Sequence, residues 1–555
     1  MRPALLSGGT LVDCFLNHTQ ASPEALAVFP TTQERITAAE LEAASLRTAL
    51  GLAELGVGPG DLVGLLLPTR PVFLSVFFGV QRAGAACSVL PVPMGFADLP
   101  GAARRLTRMI DAGGIRHIVA DDSFGELAKL LKELRPSLTI VDPGVGVSGD
   151  PRKLPSIDPK ALSVVQFTSG STSAPKGVML NQDTMAAGLE AIVVSGQFTP
   201  DDVFMQWVPT FHDMGLVGLY SHLLNGADVH IFPPGAALRR PHELLRYFSE
   251  NGGTAITGPN FFYDQLLDSC TPEFVAKLDL SPWRLAFNGA EPVRAETTRR
   301  FAGELAPAGL REGVMYPVYG MAEATLAISF PVPLSPTRVL SVDRGTLAAG
   351  GRVVDVAPGA HTAKEVVSVG FPVHGIQMRI VAEDGHVCGD DEIGEIQICG
   401  PAVTTGYLGD AAATAAAFDG PWFRTGDAGF RRYGEHYITG RIKDMVVVRG
   451  QNYYPEDIEE VGRQVPGVYR NRCVAFSDGD GQGAEFVTVV VESDGRRVSG
   501  ADLAAEVARR VEAELDFSDV RVHVVKPSWL TRTTSGKWQR ALTRQRVSEL
   551  RGATA

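Results

Sequence analysis

The strongest constraint on the fold is a regular alternation of strand-like and helix-like segments between Leu62 and about Ala290. The run "DLVGLLLP" is apolar, as a buried strand would be, and Pro68 ends it. The next segment, "RPVFLSVFFGVQRAG", has apolar residues at helical spacing and stops at Gly84, and "ACSVLPVP" is extended again. This alternation predicts an α/β fold with largely parallel sheets.

The pattern changes after about Pro331, where Gly, Pro and short β-branched runs predict irregular or β-hairpin structure up to about Pro372. In the tail, "GVYRNRCVAFSD", "AEFVTVVVES" and "VRVHVVK" are strand candidates, and "SGADLAAEVARRVEAEL" is a helix candidate capped by Ser499. We therefore expect a large amino-terminal domain over residues 1–441, with layered α/β subdomains and a β-rich subdomain. A small α/β domain follows over residues 442–555, with the boundary near Arg441–Asp444.

Charge and cysteine usage exclude several classes of protein. The formal net charge is −12 and the basic clusters are as short as Arg299-Arg300, so we expect no nucleic-acid partner. The six cysteines are scattered without a CxxC pair, which argues against a disulfide framework and for a reducing compartment. The first residues, "MRPALLSGGT", are too briefly apolar for a signal peptide. The apolar runs fall far below the roughly 18 residues that a membrane span needs, so a cytoplasmic protein is expected.

The loop "TSGSTSAPKGVML", from Thr168 to Leu180, joins two strand candidates. It differs from a Walker A loop, because Pro175 stands where that motif has glycine and a strand follows where a helix should. Its glycines allow close approach of the backbone, and its lysine can meet a polyphosphate. The loop is therefore either a phosphate cradle of another kind or a flexible linker. The candidate phosphate-binding residues are Thr168, Ser169, Gly170, Ser171, Thr172 and Lys176.

This loop resembles the phosphate loop of the adenylate-forming superfamily, which includes acyl-CoA ligases, adenylation domains of peptide synthetases and luciferases. Further segments resemble the core motifs of that superfamily, in its order and at compatible spacing, so the resemblance covers nearly the whole chain. They are "WVPTFHDMGLVG" (207–218), "ITGPNFFYDQLLD" (256–268), "FNGAEPV" (287–293), "YPVYGMAEATL" (316–326), "WFRTGDAG" (422–429), "GRIKDMVVVRGQNYYPEDIE" (440–459) and "TRTTSGKWQR" (531–540).

The resemblance implies that the chain uses ATP and Mg²⁺. It assigns Glu323 to the metal, and a carboxylate is the hard oxygen donor that Mg²⁺ prefers. It assigns Asp427 and Arg441 to the ribose, where a carboxylate can accept hydrogen bonds from both hydroxyls. The residues that it places around the adenine are Asn288, Gly289, Ala290, Glu291, Tyr319, Gly320 and Met321.

The resemblance also implies that the carboxyl-terminal domain is a mobile lid. Lys443 matches the hinge position, and Lys537 in "TSGK" matches the catalytic lysine that domain closure brings to the developing charge. The chain departs from the usual pattern at three positions. Ser173 stands where the superfamily usually has glycine, Thr531 where it often has proline, and Trp538 where it often has an aliphatic residue.

Within the superfamily, "FHDMGLVG", "GPNFFYD", "NGAEPV" and "GMAEATL" look like the fatty acyl-AMP ligases, and so does an insertion at about 334–370. The acid pocket implied by this resemblance comprises His212, Asp213, Gly215, Phe261 and Ala322. His212 could also be read as a metal ligand or general base, but no second His or Cys lies at ligand spacing.

The implied activity is conversion of a fatty or related acid to acyl-AMP, followed by transfer to the phosphopantetheine thiol of a separate acyl carrier protein. In this branch the insertion is thought to limit the domain movement that CoA chemistry needs. Three alternatives stay open. They are an acyl-CoA or aryl-CoA ligase, a non-adenylating module that binds an acyl-adenylate, and an amino-acid-activating domain in which Asp213 meets the α-amine.

Overall fold

The protein is described by a computed structural model that covers residues 9–91, 98–168, 175–448, 451–479, 485–515, 519–531 and 538–554. The chain divides into two compact units. Unit 1 comprises Met1–Thr337, Val369–Met378 and Ile398–Phe423. Unit 2 comprises Arg338–Ser368, Arg379–Gln397 and Arg424–Ala555, so it combines most of the predicted insertion with the carboxyl-terminal region.

The first large sheet of unit 1 has seven strands, and all neighbours are parallel except the last pair. This arrangement confirms the predicted α/β fold, because parallel sheets need crossover connections and helices supply most of them. In spatial order the strands are Met315–Pro317, Leu285–Asn288, Ala255–Gly258, Val203–Gln206, Asp228–Ile231, Leu26–Phe29 and Glu34–Thr37.

The second large sheet of unit 1 has six strands, again parallel except at one edge. Its central strand Leu62–Leu66 is buried at every position, as its apolar run predicted. The antiparallel edge pair joins the two ends of the predicted phosphate loop, which confirms the strand-to-strand connection. In spatial order the strands are Thr139–Val141, His117–Ala120, Leu62–Leu66, Ala86–Val89, Leu162–Thr168 and Lys176–Asn181.

Helices pack on these sheets through apolar faces, and Thr10 and Thr37 each begin a helix with a reciprocal capping box. A three-stranded antiparallel sheet of Tyr319–Gly320, Ala327–Phe330 and Phe371–Pro372 also belongs to unit 1. The α-helices of unit 1 are Leu11–Ala21, Ala38–Glu54, Pro71–Arg82, Leu99–Gly113, Gly125–Leu134, Gln182–Ser195, Asp213–Leu223, Pro234–Arg239, Pro241–Glu250, Asn260–Asp268, Pro272–Val275, Ala295–Leu305 and Ala411–Ala416.

The β-rich part of unit 2 contains the hairpin of Val339–Asp343 with Ala363–Val367, as the sequence predicted for this region. The helix Arg344–Ala349 lies between the two strands and was not anticipated. The other strands that lie wholly or partly in this region are Gly351–Arg352, Gln377–Val381, Glu392–Cys399, Trp422–Arg432 and Glu435–Arg441. The short strand Phe418–Asp419 pairs with Trp422 and Phe423, and all of these residues belong to unit 1.

The carboxyl-terminal part of unit 2 has a three-stranded sheet in which Glu485–Glu492 pairs antiparallel with Cys473–Gly479 and parallel with Val520–Val525. The Ser499 hydroxyl accepts a hydrogen bond of 3.2 Å from the backbone of Asp502, which confirms the predicted cap. The remaining strands and α-helices here are Val446–Val448, Gln451–Tyr453, Pro455–Arg463, Gly500–Leu515 and Arg540–Thr554.

Single turns of 3₁₀ helix occur in both units, at Asp122–Phe124, Pro151–Lys153, Ala306–Ala308, Ala322–Ala324, Ile442–Asp444 and Tyr469–Asn471. Across the described residues, none of the helices combines the length and the apolar character that a membrane crossing requires.

Candidate active site

The two described ends of the predicted phosphate loop face each other across the edge of the second sheet. Thr168 and Lys176 are register partners, and the Thr168 hydroxyl donates a hydrogen bond of 3.5 Å to the Lys176 carbonyl. A Cβ atom at Gly177 would lie 2.8 Å from Val165 Cγ1, so glycine permits this close pairing. Four other predicted phosphate ligands and one noted departure lie outside the described residues, namely Ser169, Gly170, Ser171, Thr172 and Ser173.

Lys176 and Glu323, which were predicted to meet phosphate and metal respectively, both contact Tyr407. The Tyr407 hydroxyl donates a hydrogen bond of 3.0 Å to Glu323 Oε1. The Lys176 ammonium lies 4.9 Å from the centroid of the same ring, within the range of a cation–π contact. Tyr407 therefore holds a cationic group and an anionic group of the candidate site close to each other.

Backbone hydrogen bonds fix the segment that carries Tyr407. The Leu408 N–H donates to the Gly177 carbonyl at 2.8 Å, which ties the segment to the edge strand. The Thr404 N–H donates to the Glu323 carbonyl at 2.7 Å, which ties it to the predicted metal ligand. Sequence reasoning missed Tyr407, and the only available signal was an aromatic residue in the glycine-flanked run "TTGYLGD".

Glu323 is partly buried in a turn that is followed by a strained residue. It belongs to the 3₁₀ turn Ala322–Ala324, in which Ala324 and the predicted pocket residue Ala322 are buried. The next residue, Thr325, is buried with φ +61°, and its hydroxyl donates a hydrogen bond of 2.8 Å to the Ala402 carbonyl. A β-branched residue in this conformation persists only where its surroundings impose it, and such strain is concentrated at functional sites.

The predicted adenine segment is a tight turn after the strand Leu285–Asn288. Ala290 has φ +67°, and the Asn288 carbonyl accepts a hydrogen bond of 2.8 Å from the Val318 N–H. A Cβ atom at Gly289 would lie 2.8 Å from Val318 Cγ2, so glycine allows the two segments to touch. The structure therefore places the turn beside Val318, the residue that precedes Tyr319.

The strand that carries Tyr319 makes an equally close approach to its neighbour. A Cβ atom at Gly320 would lie 1.9 Å from the Leu326 carbonyl oxygen, and the Met321 N–H donates to that same oxygen at 2.8 Å. Only glycine fits at this position, so the course of the chain between Tyr319 and Met321 is set by Gly320. The predicted adenine residues consequently lie on two adjacent, rigid segments of unit 1.

The predicted acid-pocket residues lie at the starts of two helices. His212 precedes the helix Asp213–Leu223, and a Cβ atom at Gly215 would lie 2.0 Å from the Pro209 carbonyl oxygen. Phe261 opens the helix Asn260–Asp268, and its N–H donates a hydrogen bond of 3.2 Å to Glu291 Oε1. This bond joins the predicted acid-pocket residue Phe261 to the predicted adenine turn.

The predicted ribose residues form an ion pair inside unit 2. Asp427 and Arg441 are register partners in adjacent antiparallel strands, and Arg441 Nε lies 3.0 Å from Asp427 Oδ1. The Asp427 side chain is buried, whereas the Arg441 side chain is 39% exposed. The predicted hinge residue Lys443 follows in the 3₁₀ turn Ile442–Asp444, which begins directly after the strand.

The predicted catalytic lysine, Lys537, lies outside the described residues. The nearest described residues are Thr531 and Trp538, which belong to unit 2. The Gln539 N–H donates a hydrogen bond of 3.1 Å to the Thr531 carbonyl. Trp538 packs against an apolar cluster that includes Phe476 and Val547. The two departures at Thr531 and Trp538 are therefore accommodated by local contacts.

The α/β fold, the partly buried Glu323 in its 3₁₀ turn and the tight turn after the strand Leu285–Asn288 form the arrangement expected of the class of adenylate-forming enzymes. Residues 15–408 match the family described as AMP-binding enzyme. The chain belongs to this family, because the match covers more than half of its 555 residues.

Named relatives extend the match along the chain. The chain is 33% identical to the medium-chain-fatty-acid–[acyl-carrier-protein] ligase JamA of Moorena producens, over 97% of this chain and 95% of that protein. It is 31% identical to the long-chain-fatty-acid–AMP ligase FadD32 of Mycolicibacterium smegmatis, over 75% of this chain and 70% of that protein.

A solved structure from a study of fatty acyl-adenylate ligases of E. coli and L. pneumophila is also similar to the chain. It has a TM-score of 0.89 and 29% identity, and the match covers 99% of both chains. The predicted resemblance to the adenylate-forming superfamily, and to its fatty acyl-AMP ligase branch, is confirmed by these matches.

Proposed function

We propose that the protein activates a fatty acid with ATP to give acyl-AMP and pyrophosphate, and passes the acyl group to the phosphopantetheine thiol of a separate acyl carrier protein. The observation that carries this proposal is the convergence of Lys176 and Glu323 on Tyr407 beside the ends of the phosphate loop. The relatives named as fatty-acid ligases supply the substrate class.

In this proposal each predicted nucleotide-binding residue has its own role. Lys176 and the hydroxyls of the loop meet the phosphates, and the turn at Asn288 together with Tyr319 holds the adenine. Asp427 accepts hydrogen bonds from the ribose hydroxyls, and Arg441 lies beside it.

The residues present fit Mg²⁺ as the cofactor. Glu323 offers a carboxylate, a hard oxygen donor, and Tyr407 orients one of its oxygens. Glu323 would hold the ion. When bound, Mg²⁺ supplies positive charge to the phosphate oxygens of the nucleotide.

The chemical step is an attack of the fatty-acid carboxylate on the α-phosphorus of ATP. A bond forms between a carboxylate oxygen and that phosphorus, and the bond from the α-phosphorus to the pyrophosphate oxygen breaks. Holding the two reactants in line can supply about 7–11 kcal/mol of the barrier. Lys537 would offset the negative charge that builds on both reactants. The carrier thiol then gives up its proton to solvent and attacks the acyl carbonyl carbon. A thioester bond forms, and the bond from that carbon to the phosphate oxygen breaks, so AMP leaves.

The domain boundary proposed from sequence, residues 1–441 and 442–555, assigns a mobile lid to the tail and a hinge to Lys443. Inside unit 2, the insertion contacts the tail directly. Lys364 Nζ lies 2.8 Å from Asp457 Oδ1, and Arg344 Nη1 donates a hydrogen bond of 3.3 Å to the Glu514 carbonyl. Because contacts between the insertion and the tail would limit the domain movement that CoA chemistry needs, they support a carrier protein, in preference to CoA, as the acceptor. The cytoplasmic location stays a prediction from the sequence.

The decisive experiment is acid-dependent pyrophosphate exchange across a panel of fatty and aryl acids, followed by mass analysis of a carrier protein offered together with CoA. Lys537→Ala and Lys176→Ala should each lower the exchange rate strongly, and the exposed Lys526→Ala is the matched control. Absence of exchange with every acid would favour a non-adenylating module. CoA thioester formed as fast as loaded carrier would favour a CoA ligase.

A further inference from the structure

Three metal-ligating side chains meet at a turn in unit 2, outside the candidate active site. His386, Cys388 and Glu392 lie at the junction of the strands Gln377–Val381 and Glu392–Cys399. Each offers one ligand atom, and these three atoms all lie within 4.8 Å of one another. An imidazole nitrogen, a thiol and a carboxylate form a mixed donor set, which is unlike a cluster of surface acids.

The backbone of this turn is held by its own hydrogen bonds. The Ala382 N–H donates to the His386 carbonyl at 2.9 Å, and the Cys388 N–H donates to the Ile380 carbonyl at 2.8 Å. Gly385 has φ +91°, a conformation that glycine adopts readily. The three donors are therefore presented by a defined hairpin turn.

A fourth side chain orients the imidazole. Asp384 Oδ1 lies 2.6 Å from His386 Nδ1, so that nitrogen carries the proton and donates to the carboxylate. The other ring nitrogen, Nε2, then faces Glu392 Oε2 at 3.5 Å. A lone pair facing a carboxylate oxygen is unfavourable unless a cation lies between them, either a second proton or a metal ion.

Glu392 and Cys388 are arranged to serve as the remaining donors. The Gly389 N–H donates a hydrogen bond of 2.8 Å to Glu392 Oε2, which orients the carboxylate. The Cys388 Sγ makes only a weak contact of 3.9 Å with the Ile393 carbonyl, so little is lost when the thiol gives up its proton. Burial and the adjacent Glu392 and Asp384 raise the pKa of this thiol, so a metal must displace the proton.

We propose that His386 Nε2, Cys388 Sγ and a carboxylate oxygen of Glu392 bind one Zn²⁺ ion, with Asp384 as a positioning residue. Nitrogen, sulfur and carboxylate oxygen are the ligands that zinc takes in proteins, and water would complete a four-coordinate site. Binding converts the Cys388 thiol to a thiolate and releases one proton to solvent. The hydrogen bond from His386 to Asp384 is the support that zinc-bound imidazoles usually have. The ion would stabilise the hairpin turn.

The test uses Co²⁺ as a spectroscopic probe on the full chain after treatment with a chelator. One equivalent of Co²⁺ should produce a sulfur-to-cobalt charge-transfer band that an equivalent of Zn²⁺ removes. Cys388→Ser should abolish the band, and Asp384→Asn should weaken binding by about 10–100-fold. Cys399→Ser, a change of a partly buried cysteine at the other end of the strand Glu392–Cys399, is the matched control and should keep the band.

Two results would overturn the proposal. One is the absence of any charge-transfer band in the wild-type protein, which would mean that a second proton on His386 is the only cation there. The other is a band that survives Cys388→Ser, which would place the ion elsewhere. Because the readout is metal binding, and pyrophosphate exchange is measured separately, failure here leaves the proposed function standing. Circular dichroism of each variant checks that the chain remains folded.

Discussion

The Tyr407 hydroxyl donates a hydrogen bond of 3.0 Å to Glu323 Oε1, while Lys176 Nζ lies 4.9 Å from the same ring. One aromatic side chain thus contacts both the candidate metal ligand and the candidate phosphate ligand. A hydrogen bond from a hydroxyl to a carboxylate is charge-assisted, and such bonds are stronger than those between neutral groups. The relationship predicts that Tyr407 positions Glu323 for the reaction.

Tyr407→Phe should lower kcat/KM for pyrophosphate exchange by about 10–100-fold, because hydrogen bonds to charged groups contribute about 1.5–3 kcal/mol and the ring is kept. The apparent affinity for Mg²⁺ should fall as well, since Glu323 loses the group that orients it. A magnesium titration of the exchange rate measures both effects. Tyr433→Phe, at a side chain that is 70% exposed, is the matched control. An unchanged magnesium dependence would show that Tyr407 does not act through Glu323.

Two glycines of the helix Asp213–Leu223 should respond to alanine in opposite directions. A Cβ atom at Gly215 would lie 2.0 Å from the Pro209 carbonyl oxygen, whereas at Gly218 the nearest atom, Phe204 Cζ, is 4.0 Å away. Gly215→Ala should therefore destabilise the protein and displace His212. Gly218→Ala should stabilise it by about 0.5–1 kcal/mol, because alanine restricts the unfolded chain. Denaturant unfolding of the two variants tests the pair, and equal effects would contradict the close contact at Gly215.

Lys364 of the insertion and Asp457 of the tail form an ion pair and should be energetically coupled. The Lys364 and Asp457 side chains are 16% and 9% exposed, and Lys364 Nζ also lies 4.2 Å from the Tyr454 ring. A double-mutant cycle with alanine at both positions should give a coupling energy of about 1–3 kcal/mol. The exposed pair Lys129–Glu126 is the control and should give less than about 1 kcal/mol. Similar values for both pairs would mean that burial adds nothing to the coupling.

Acid should destabilise the protein through two buried histidines. Burial lowers the pKa of His18 and of His222 from 6.5 to about 4. In the unfolded chain these groups take up protons near pH 6.5, so the unfolded state binds more protons between about pH 6.5 and pH 4. The stability contributed by neutral burial is fully present above pH 6.5 and is lost as the pH falls toward 4.

Each of these histidines can lower the free energy of unfolding by up to about 3 kcal/mol at the acid end of that range. His18→Leu should remove its part of the pH dependence, since neither ring nitrogen has a hydrogen-bond partner among the described residues. Denaturant unfolding at pH 8 and pH 5 measures the difference. The exposed His361→Gln is the control. If the free energy of unfolding falls equally between pH 8 and pH 5 in the wild type and in His18→Leu, His18 does not contribute to the acid sensitivity.

The sequence predicted the elements whose patterns are local. The apolar run at Leu62–Leu66 and the helical spacing at Pro71–Arg82 both hold in the structure. The departure from a Walker A loop predicted a strand-to-strand connection, and the structure confirms it by pairing the strands of Thr168 and Lys176. These predictions succeeded because burial and periodicity act within a few residues along the chain.

The sequence analysis did not predict contacts between residues that are far apart along the chain. Tyr407 and Glu323 are 84 residues apart, and nothing in the local pattern around "TTGYLGD" indicates which carboxylate the hydroxyl meets. The helix Arg344–Ala349 was missed because it is only six residues long, too short to show a helical period. It forms where Asp343 caps it and where Leu347 and Ala348 are buried.

Tyr454 has a practical consequence for cutting the protein into fragments. Its ring shares an apolar cluster with Leu347 and Phe430, and its hydroxyl donates a hydrogen bond of 2.8 Å to Thr439. A fragment that ends at Arg441 would lose this ring and leave the facing apolar surface open to water. Cutting the chain after Arg441 should therefore give an amino-terminal fragment that tends to aggregate. The boundary suggested by the sequence motif passes through this apolar cluster, whereas a domain boundary that tolerates cutting has few contacts across it.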